Sequence, residues 1–381
     1  MRVIIDYRPA LKQRSGVGEY AHQLVKALLG VYPPDGGNAA LHLSLFSSSW
    51  KDRLHLADGE LAGAETVDRR VPVRVLNFAW HRLRWPPAEA VVGRRFDVTH
   101  SLHPLILPSR AAAHVITIHD LDFLAHPERT RAEIRRDYPP LVGANARRAH
   151  AVIVPSRFTA IEVERQLGVP ADRISVCPPG APHWPARATP SNGGYALFMG
   201  TLEPRKNVGA LLDAYERLLA RRSGNGPLPA LVLAGHRTPE SQPWLDRIAR
   251  PPLSQIARHI GYVNPAQRHA LYAGARLLVQ PSFEEGFGLP VLEALTLGVP
   301  VVASQRGSLP EVLGDAGLLV NPEDPDQLAS AIERIIDDPS VEAACAAKGP
   351  LKAREFRWDR TARLVYQAYK DAIERRRCES E

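Results

Sequence analysis

Short runs of apolar and β-branched residues alternate along the chain with longer segments of helical periodicity. This alternation is typical of βαβ units, in which parallel strands are joined by crossover helices. The pattern begins at Val3 to Ile5 and restarts at Tyr195 to Met199, and it therefore predicts two α/β domains with one parallel sheet each. The other predicted strands are 41–46, 97–101, 114–118, 151–154 and 174–177 in the first half, and 230–234, 259–263, 277–280, 299–303 and 317–320 in the second.

A proline- and glycine-rich stretch, Pro178 to Gly194, separates the two groups of predicted strands. Its five prolines and three glycines are incompatible with a central strand or a helix interior. We therefore predict a first domain over residues 1–180, an interdomain linker over 181–194 and a second domain over 195–355. The last helical stretch, 356–381, follows the second sheet and can pack on either domain.

Length and composition agree with a folded two-domain protein. The 381 residues exceed the roughly 250–300 that one core usually holds, and 45% hydrophobic with 23% charged residues disfavours disordered and fibrous classes. No apolar run reaches the length of a spanning helix, and Asp6 interrupts the N-terminus too early for a signal peptide. We expect a cytoplasmic chain in which Cys177, Cys345 and Cys378 are reduced thiols.

The net charge of +7 lies entirely in the first half of the chain. Residues 1–190 contain 25 Lys and Arg against 18 Asp and Glu, whereas residues 191–381 contain 23 of each. Such an excess suits an anionic membrane surface, a phosphorylated substrate or nucleic acid. Because the cations are spread out and no nucleic-acid-binding module is recognisable, we expect no nucleic-acid partner.

The sharpest local signal is the segment Pro281 to Gly298, which follows a predicted strand. Pro290 suits a first helical turn and Gly298 suits the position after a helix, so a short helix is bracketed at both ends. Gly286 and Gly288 precede its N-terminus, where unhindered amides and the helix dipole favour an anion such as phosphate. Two acids flank this loop, Glu285 before the glycines and Glu293 in the predicted helix, and both can accept hydrogen bonds from ligand hydroxyls. A phosphate site beside such acids suits a nucleotide sugar. The alternative is an ordinary helix start with a solvated acid.

A second signal is the loop after the predicted strand Tyr195 to Met199. Arg205 and Lys206 lie there, at the edge where open α/β sheets bind ligands. A guanidinium beside an ammonium would neutralise a diphosphate leaving group. Taken alone, the pair is equally consistent with two solvated cations on a loop.

These motifs resemble the retaining GT-B glycosyltransferases called group 1, a nucleotide-sugar-dependent family with an E-x7-E motif. Glu285 and Glu293 have that spacing, and the resemblance spans nearly the whole second half. It implies the GT-B fold, two Rossmann-like α/β domains facing across a cleft, with the acceptor on the first domain and the donor on the second. The other matching segments are the 286–289 loop, the 203–207 loop, 261–263, 308–311 and 315–317.

The resemblance also implies roles for individual residues. Lys206, helped by Arg205, binds the diphosphate; Glu285 contacts the donor sugar and Glu293 holds the ribose. The donor site further includes backbone around the base and the glycine-rich loop, namely Tyr262, Val263, Gly286, Phe287, Gly288 and Leu289. Many members have Arg directly after the glycine at position 200, where this chain has Thr201, and Arg205 is our substitute for that cation.

In the first half, the loop Arg14 to Ala21 opens a predicted helix and formally matches the G-x-G-x-x-A pattern of dinucleotide-binding folds. However, the loop is separated in the sequence from the predicted strand Val3 to Ile5, and the second predicted strand does not end in an acid that could bind a ribose. Both observations argue against a dinucleotide-binding site. The resemblance instead implies that Gly16 and Gly18 let backbone approach the donor phosphates or the acceptor; the alternative is a plain turn.

His119 and Asp120 end the predicted strand 114–118. The resemblance implies that His119 lies beside the transferred sugar and contacts or positions the sugar. Without the resemblance, His119 is more simply interpreted as a core or capping residue. Asp120 and Asp122 also satisfy the metal-binding D-x-D pattern, which we discount because any two such acids match it and Arg205 with Lys206 already supply positive charge. We therefore expect no metal and no cofactor.

The segment Asn77 to Trp85 interleaves aromatic and cationic residues. It suits a lipid interface or an acceptor, but the commoner explanation, which we expect here, is a surface helix that packs both of its tryptophans inward.

The resemblance implies a retaining hexosyltransferase of polysaccharide biosynthesis, for which we favour front-face attack assisted by the leaving phosphate. Within the resembling family, the variant Glu203 to Asn207 favours GDP-mannose as donor, with a UDP- or dTDP-hexose as alternatives. The basic first half favours an anionic or lipid-diphosphate-linked glycan acceptor and peripheral association with the inner membrane face. The alternatives are a nucleotide-sugar epimerase of the same fold, an NAD-dependent oxidoreductase, which lacks its ribose acid, and a non-catalytic sensor, which would not need Glu285 and Lys206.

Overall fold

The computed structural model describes the chain except for residues 12, 13, 15, 51, 52, 58, 130–137, 189–192, 223–226, 380 and 381. The chain forms two compact units. The N-terminal unit comprises Met1–Leu124, Arg131–Gly180 and Arg357–Glu381, and the C-terminal unit comprises Ala125–Thr130 and Ala181–Phe356. Among the described residues, no helix combines the length and the apolarity that crossing a bilayer requires.

The N-terminal unit contains a parallel sheet, with seven strands in the described residues and the order β3-β2-β1-β4-β5-β6-β7. The sheet therefore grows in one direction from β1 to β3 and in the other from β4 onward, and β1 and β4 meet where the order reverses. Its strands are β1 (Arg2–Asp6), β2 (His42–Ser48), β3 (Glu65–Arg69), β4 (Val98–Ser101), β5 (Ala113–Thr117), β6 (Ala151–Val154) and β7 (Ile174–Val176).

Helices cover this sheet because residues of its inner strands are buried on both faces, as expected of a parallel sheet. The helix at Val73–Phe78 continues as a π-helical turn, Ala79–Leu83, in which Trp80 is buried. Trp85 beyond it is 62% exposed, so the expectation that both tryptophans of this segment pack inward is wrong. The helices are α1 (Val17–Val31), α2 (Val73–Phe78), α3 (Ala88–Val92), α4 (Asp122–Ala125), α5 (Pro139–Arg148) and α6 (Arg157–Leu167).

The C-terminal unit contains a second parallel sheet, with the order β10-β9-β8-β11-β12-β13 in the described residues. Here β8 and β11 meet where the order reverses. The strands are β8 (Tyr195–Met199), β9 (Leu231–Ala234), β10 (Ala257–Gly261), β11 (Ala275–Gln280), β12 (Val301–Ser304) and β13 (Leu318–Val320). The helices are α7 (Val208–Arg221), α8 (Gln242–Ile248), α9 (Pro265–Ala273), α10 (Leu289–Leu297), α11 (Leu309–Leu313), α12 (Pro325–Asp337) and α13 (Pro339–Ala353).

The last helix, α14 (Trp358–Cys378), packs in the N-terminal unit. Its buried face joins the core around β1 and α1, and Tyr369 donates or accepts a hydrogen bond with His100 Nδ1 at 2.7 Å. The rings of Tyr32 and Tyr366 stack with centroids 3.9 Å apart. The core of the N-terminal unit is therefore built from both ends of the sequence.

The prediction of two α/β domains with parallel sheets is confirmed, and each of the twelve predicted strands corresponds to an observed strand. The missed strand, β3, is an edge strand in which Val67 is the one buried residue, so its sequence shows little apolar pattern. The strand predicted over 259–263 is shifted: β10 ends at Gly261, and Tyr262 and Val263 lie in the loop beyond it.

Candidate active site

Charged residues meet at the carboxyl edge of the C-terminal sheet, where the strand order reverses. Lys206 lies in the loop after β8 and Glu285 in the loop after β11, and these two strands are neighbours. Because open α/β sheets bind ligands beyond the carboxyl ends of the strands at such a reversal, this is the expected location of a site.

The carboxylate of Glu285 accepts hydrogen bonds from four side chains. Lys206 Nζ lies 2.5 Å and Ser282 Oγ 2.8 Å from Oε1, and Gln280 Nε2 donates to the same oxygen over 3.1 Å. Arg205 Nη1 donates to Oε2 over 3.2 Å. Glu285 is 5% exposed, so these donors replace the water that a carboxylate would otherwise bind.

The neighbouring cations, Lys206 and Arg205, determine the protonation state of Glu285. Burial by itself would raise the pKa of Glu285, but the positive charges of Lys206 and Arg205, with hydrogen bonds from Lys206 and Ser282, lower the pKa to about 2. Glu285 is therefore ionised at neutral pH. Arg205 also pairs with Glu203 over 2.8 Å, so the site contains two carboxylates and two cations.

Backbone hydrogen bonds fix the loops that carry these side chains. The amide of Phe283 donates to the carbonyl of Arg205 over 2.9 Å, which joins the two loops directly. Ser308 donates to the carbonyl of Glu285 from its amide over 3.1 Å and from its hydroxyl over 2.8 Å. Asn207 donates from Nδ2 to the carbonyl of Pro281 over 3.2 Å. The cluster is held in place before any ligand arrives.

The predicted glycine-rich loop leads directly into α10. Gly288 caps the helix with φ 98°, which favours glycine, and a Cβ atom there would lie 2.6 Å from Leu309 Cδ2. Pro290 lies in the first turn and Gly298 ends the helix, as the sequence predicts. Pro290 has no N–H, and the amides of Val291 and Leu292 donate to the carbonyl of Gly288 over 3.0 and 3.2 Å. The positive end of the helix dipole faces the region beyond Gly286.

Glu293 is buried one turn inside α10 and contacts α9. Its Oε1 lies 3.4 Å from Arg268 Nη1. Burial raises the pKa of the Tyr272 hydroxyl well above its usual value, and the charge of Glu293 raises it further. The predicted ribose-binding carboxylate therefore lies at the α9–α10 contact.

The other predicted donor residues lie in the loops after β8 and β10. Thr201 follows β8, and its carbonyl accepts a hydrogen bond from the amide of Glu203 over 2.9 Å. The ring of Tyr262 stacks on His236, with centroids 4.7 Å apart and planes inclined by 18°. Val263 follows Tyr262 and packs at the edge of a core that includes Phe287 and Leu289.

In the N-terminal unit, the predicted glycine loop is the start of α1; Ser15 in it lies outside the described residues. Gly16 caps the helix, and a Cβ atom at Gly18 would lie 2.6 Å from the carbonyl oxygen of Pro9. Gly18 is therefore required by the close approach of α1 to the chain after β1. This packing accounts for the second glycine without a ligand.

His119 lies after β5 and its ring contacts α1. It meets the ring of Tyr20 edge-on at 4.9 Å, and Nε2 lies 3.2 Å from the carbonyl oxygen of Leu102. Burial lowers the pKa of His119 to about 4, against the charge of Asp120. His119 is therefore neutral at neutral pH.

A second charged cluster, which the sequence analysis missed, lies where β1 and β4 meet. Arg8 donates to the buried Asp6 from Nε over 2.8 Å and from Nη2 over 2.5 Å, and its Nη1 donates to Asn77 Oδ1 over 2.8 Å. His103 Nε2 lies 2.9 Å from Asp6 Oδ2. Burial would raise the pKa of Asp6, but Arg8 and His103 hold it far below its usual range. The available signal was an acid, Asp6, that directly follows the buried apolar run Val3 to Ile5.

No group of three or more His, Cys, Asp and Glu side chains in the described part of the chain has a metal-binding arrangement. The expectation that the site needs no metal stays a prediction.

Both halves of the chain match known protein families. Residues 185–352 match the family Glycosyl transferases group 1, and residues 14–183 match Glycosyltransferase Family 4. O-antigen chain mannosyltransferase B of Escherichia coli is 31% identical over 388 residues, which cover 97% of this chain and 100% of that protein. D-inositol 3-phosphate glycosyltransferase of Acidothermus cellulolyticus is 31% identical over 55% of this chain and 50% of its own length.

Among solved structures, the sucrose-phosphate synthase of Thermosynechococcus elongatus has a TM-score of 0.75 at 21% identity, with 97% of this chain and 98% of that chain covered. At this identity the similarity concerns the fold alone.

Proposed function

Because the chain belongs to the group 1 glycosyltransferases and has their GT-B fold of two Rossmann-like domains, we propose that it transfers mannose from GDP-mannose to a hydroxyl of a glycan or lipid-linked glycan, with retention. The observation that carries the proposal is the buried Glu285, paired with Lys206 and Arg205 beside the N-terminus of α10. The 31% identity to an O-antigen chain mannosyltransferase over its whole length supports mannose and a polysaccharide acceptor.

Donor binding exchanges the partners of the two cations. Lys206 and Arg205 turn from Glu285 toward the diphosphate, which also receives hydrogen bonds from amides of the loop Gly286 to Leu289. The released oxygens of Glu285 then accept hydrogen bonds from sugar hydroxyls. Glu293 holds the ribose, and backbone at Tyr262 and Val263 meets the base. Thr201 adds a neutral hydroxyl where many relatives have a cation.

In the transfer step, the bond between the sugar C1 and the diphosphate oxygen breaks, and its electron pair stays on GDP. A bond forms between the acceptor oxygen and C1 on the same face, and the acceptor proton passes to the leaving phosphate oxygen. Lys206 and Arg205 stabilise the charge that develops on the diphosphate. We assign His119 and Asp120 to positioning the sugar. His119 does so by hydrogen bonds rather than by charge, because burial lowers its pKa.

The first test is calorimetric binding of GDP, UDP, dTDP and NADH to the purified protein, with and without EDTA. We expect GDP to bind best and EDTA to have no effect. Lys206→Ala should abolish this binding, whereas Lys348→Ala, which removes an exposed lysine paired with Asp315, should not. Preferential binding of UDP or dTDP would reassign the donor, and binding of NADH alone would refute the transferase site.

The second test is turnover of GDP-mannose. Transfer to a mannan-type or lipid-diphosphate-linked acceptor should require that acceptor, and the product's anomeric configuration, measured by NMR, should match the donor's. Conversion of GDP-mannose to another nucleotide sugar without acceptor would identify an epimerase instead. Inverted configuration would refute front-face attack. For a lipid-linked acceptor, we propose a cytoplasmic location with peripheral association with the membrane.

A further inference from the structure

Exposed apolar side chains of the described residues concentrate in one short part of the N-terminal unit. The described residues include eleven exposed large hydrophobic side chains, and five of them lie within residues 73–85. We call residues 73–85 the amphipathic segment. Its most exposed members are Trp85 and Leu83 at 62%, Phe78 at 61% and Val75 at 59%. A concentration of this kind on a folded domain marks an interaction surface.

The same part of the chain is strongly basic. Residues 69–87 contain five arginines and no aspartate or glutamate. Arg74, Arg82 and Arg84 are exposed, and none of them forms an ion pair with a carboxylate among the residues that the structure describes. Val75, Phe78 and Arg82 recur at spacings of three and four residues, which brings apolar and cationic side chains onto adjoining parts of one helical surface.

The other side of the segment is anchored inside the protein. Leu76 and Trp80 are buried, and the Trp80 indole N–H donates to the carbonyl of Pro86 over 2.9 Å. Asn77 accepts a hydrogen bond from Arg8, whose guanidinium lies 5.4 Å from the centre of the Trp80 ring. The exposed apolar residues are therefore mounted on a fixed element rather than on a loose loop.

We propose that the amphipathic segment docks on the surface of an anionic phospholipid bilayer. Phe78, Leu83 and Trp85 enter the boundary between headgroups and acyl chains, while Arg74, Arg82 and Arg84 contact the phosphates. The positive charge of the segment favours an anionic bilayer, because a purely apolar partner would leave these three arginines unpaired at the contact. Through Asn77 and Arg8, docking brings the carboxyl edge of the N-terminal sheet to the membrane.

This inference rests on the proposed function, because docking would serve to bring the enzyme to a lipid-linked acceptor. Its test needs neither donor nor acceptor, so docking and transfer can fail independently. The measurement is co-sedimentation of the full chain with vesicles of phosphatidylcholine alone or of phosphatidylcholine mixed with phosphatidylglycerol, at low and high salt.

We expect binding to the mixed vesicles only, weakened by salt. The double variant Phe78→Ser with Trp85→Ser should abolish it. Arg82→Ser with Arg84→Ser should weaken it about 30-fold, which corresponds to about 2 kcal/mol, because a basic residue near an anionic surface contributes about 1 kcal/mol. Thermal melts should show that both variants fold, and calorimetry should show unchanged GDP binding.

Two control variants match these changes. Ile161→Ser removes an apolar side chain of α6 that is also 61% exposed, and Arg250→Ser removes an exposed arginine after α8 in the C-terminal unit. Both should bind vesicles like the unchanged protein. Equal binding to neutral and anionic vesicles, unchanged binding by the double variants, or a concentration-dependent dimer that Phe78→Ser with Trp85→Ser abolishes would overturn the proposal, the last by assigning the surface to self-association.

Discussion

The two sheets carry comparable charged clusters with different surroundings. In each, the strand order reverses between two central strands, and a buried carboxylate pairs there with cations. In the N-terminal unit the acid is Asp6, the last residue of β1, and all three guanidinium nitrogens of Arg8 donate to Asp6 or Asn77. In the C-terminal unit the acid is Glu285, five residues beyond the end of β11 on a loop.

The difference between their surroundings indicates which cluster can exchange its ion-pair partners when a ligand binds. Each guanidinium nitrogen of Arg8 already donates to a side chain of its own unit, and the group lies over Trp80, so a ligand would have to displace these bonds. Lys206 and Arg205 contact Glu285 beside a glycine-rich loop and a helix N-terminus, where an anion finds further donors. A buried ion pair at the reversal of strand order is therefore not by itself a sign of a ligand site.

The largest expected effect is on the stability of the N-terminal cluster. Arg8→Met leaves Asp6 buried without its main partner, and we expect the free energy of unfolding to fall by about 3–5 kcal/mol. Chemical denaturation with a probe of the N-terminal unit measures this. Arg94→Met, which breaks an exposed pair with Glu65, should cost less than about 1 kcal/mol. GDP binding that disappears in a folded Arg8→Met protein would contradict the contrast between the clusters.

The next effect is on transfer. Lys206→Ala removes the cation that lies 2.5 Å from Glu285, and we expect kcat/KM to fall at least roughly 100-fold, about 3 kcal/mol, because charge on the leaving diphosphate loses its stabilisation. Steady-state kinetics measures this, with Lys348→Ala as the control. Full activity would show that Lys206 serves only to hold Glu285.

A smaller effect tests the fixed geometry of Glu285. Ser282→Ala removes one of its four side-chain donors and should lower kcat/KM about 10-fold, since a hydrogen bond to a charged group contributes about 1.5–3 kcal/mol. Ser340→Ala, which removes a hydroxyl bonded to Asp338 at the start of α13, is the matched change. Equal kinetics for the two variants would mean that the Ser282 hydroxyl is not needed to orient the carboxylate.

The smallest effect is a pH dependence of stability. The pKa of Glu285 is about 2 in the folded protein against an ordinary 4.5, so its contribution is complete above about pH 4.5 and is lost as the pH falls toward 2. At pH 4 the loss is still less than about 1 kcal/mol. Denaturation of the unchanged protein and of Glu285→Gln from neutral pH to about pH 4 measures it. A difference between the two that stays constant over this range would contradict the low pKa.

Much of this fold could be predicted because its signals are local. Strands buried on both faces, such as β6 and β12, are continuous apolar runs, and α10 is bracketed by Pro290 and Gly298. The edge strand β3 could not be predicted, because pairing with β2 rather than burial defines it.

The candidate site could be predicted only in part. The spacing of Glu285 and Glu293 and the adjacent cations stand out in the sequence, whereas the ion pair between Lys206 and Glu285 joins residues 79 positions apart. Ser282 and Ser308 have no individual signature, since any serine can donate to a carboxylate or a carbonyl. The link between Arg8 and Asn77 is equally long-range and depends on where α2 packs.

The position of α14 bears on how the protein is made. Val365, Tyr369 and Ala372 belong to the same core as Val3 and Tyr20, yet a ribosome translates the whole C-terminal unit between them. At roughly 5–20 residues per second, the N-terminal sheet waits on the order of ten seconds or more with one side of its core uncovered. During synthesis, the second unit in the sequence can therefore finish folding before the first, and the nascent N-terminal unit is the part that keeps apolar surface exposed longest.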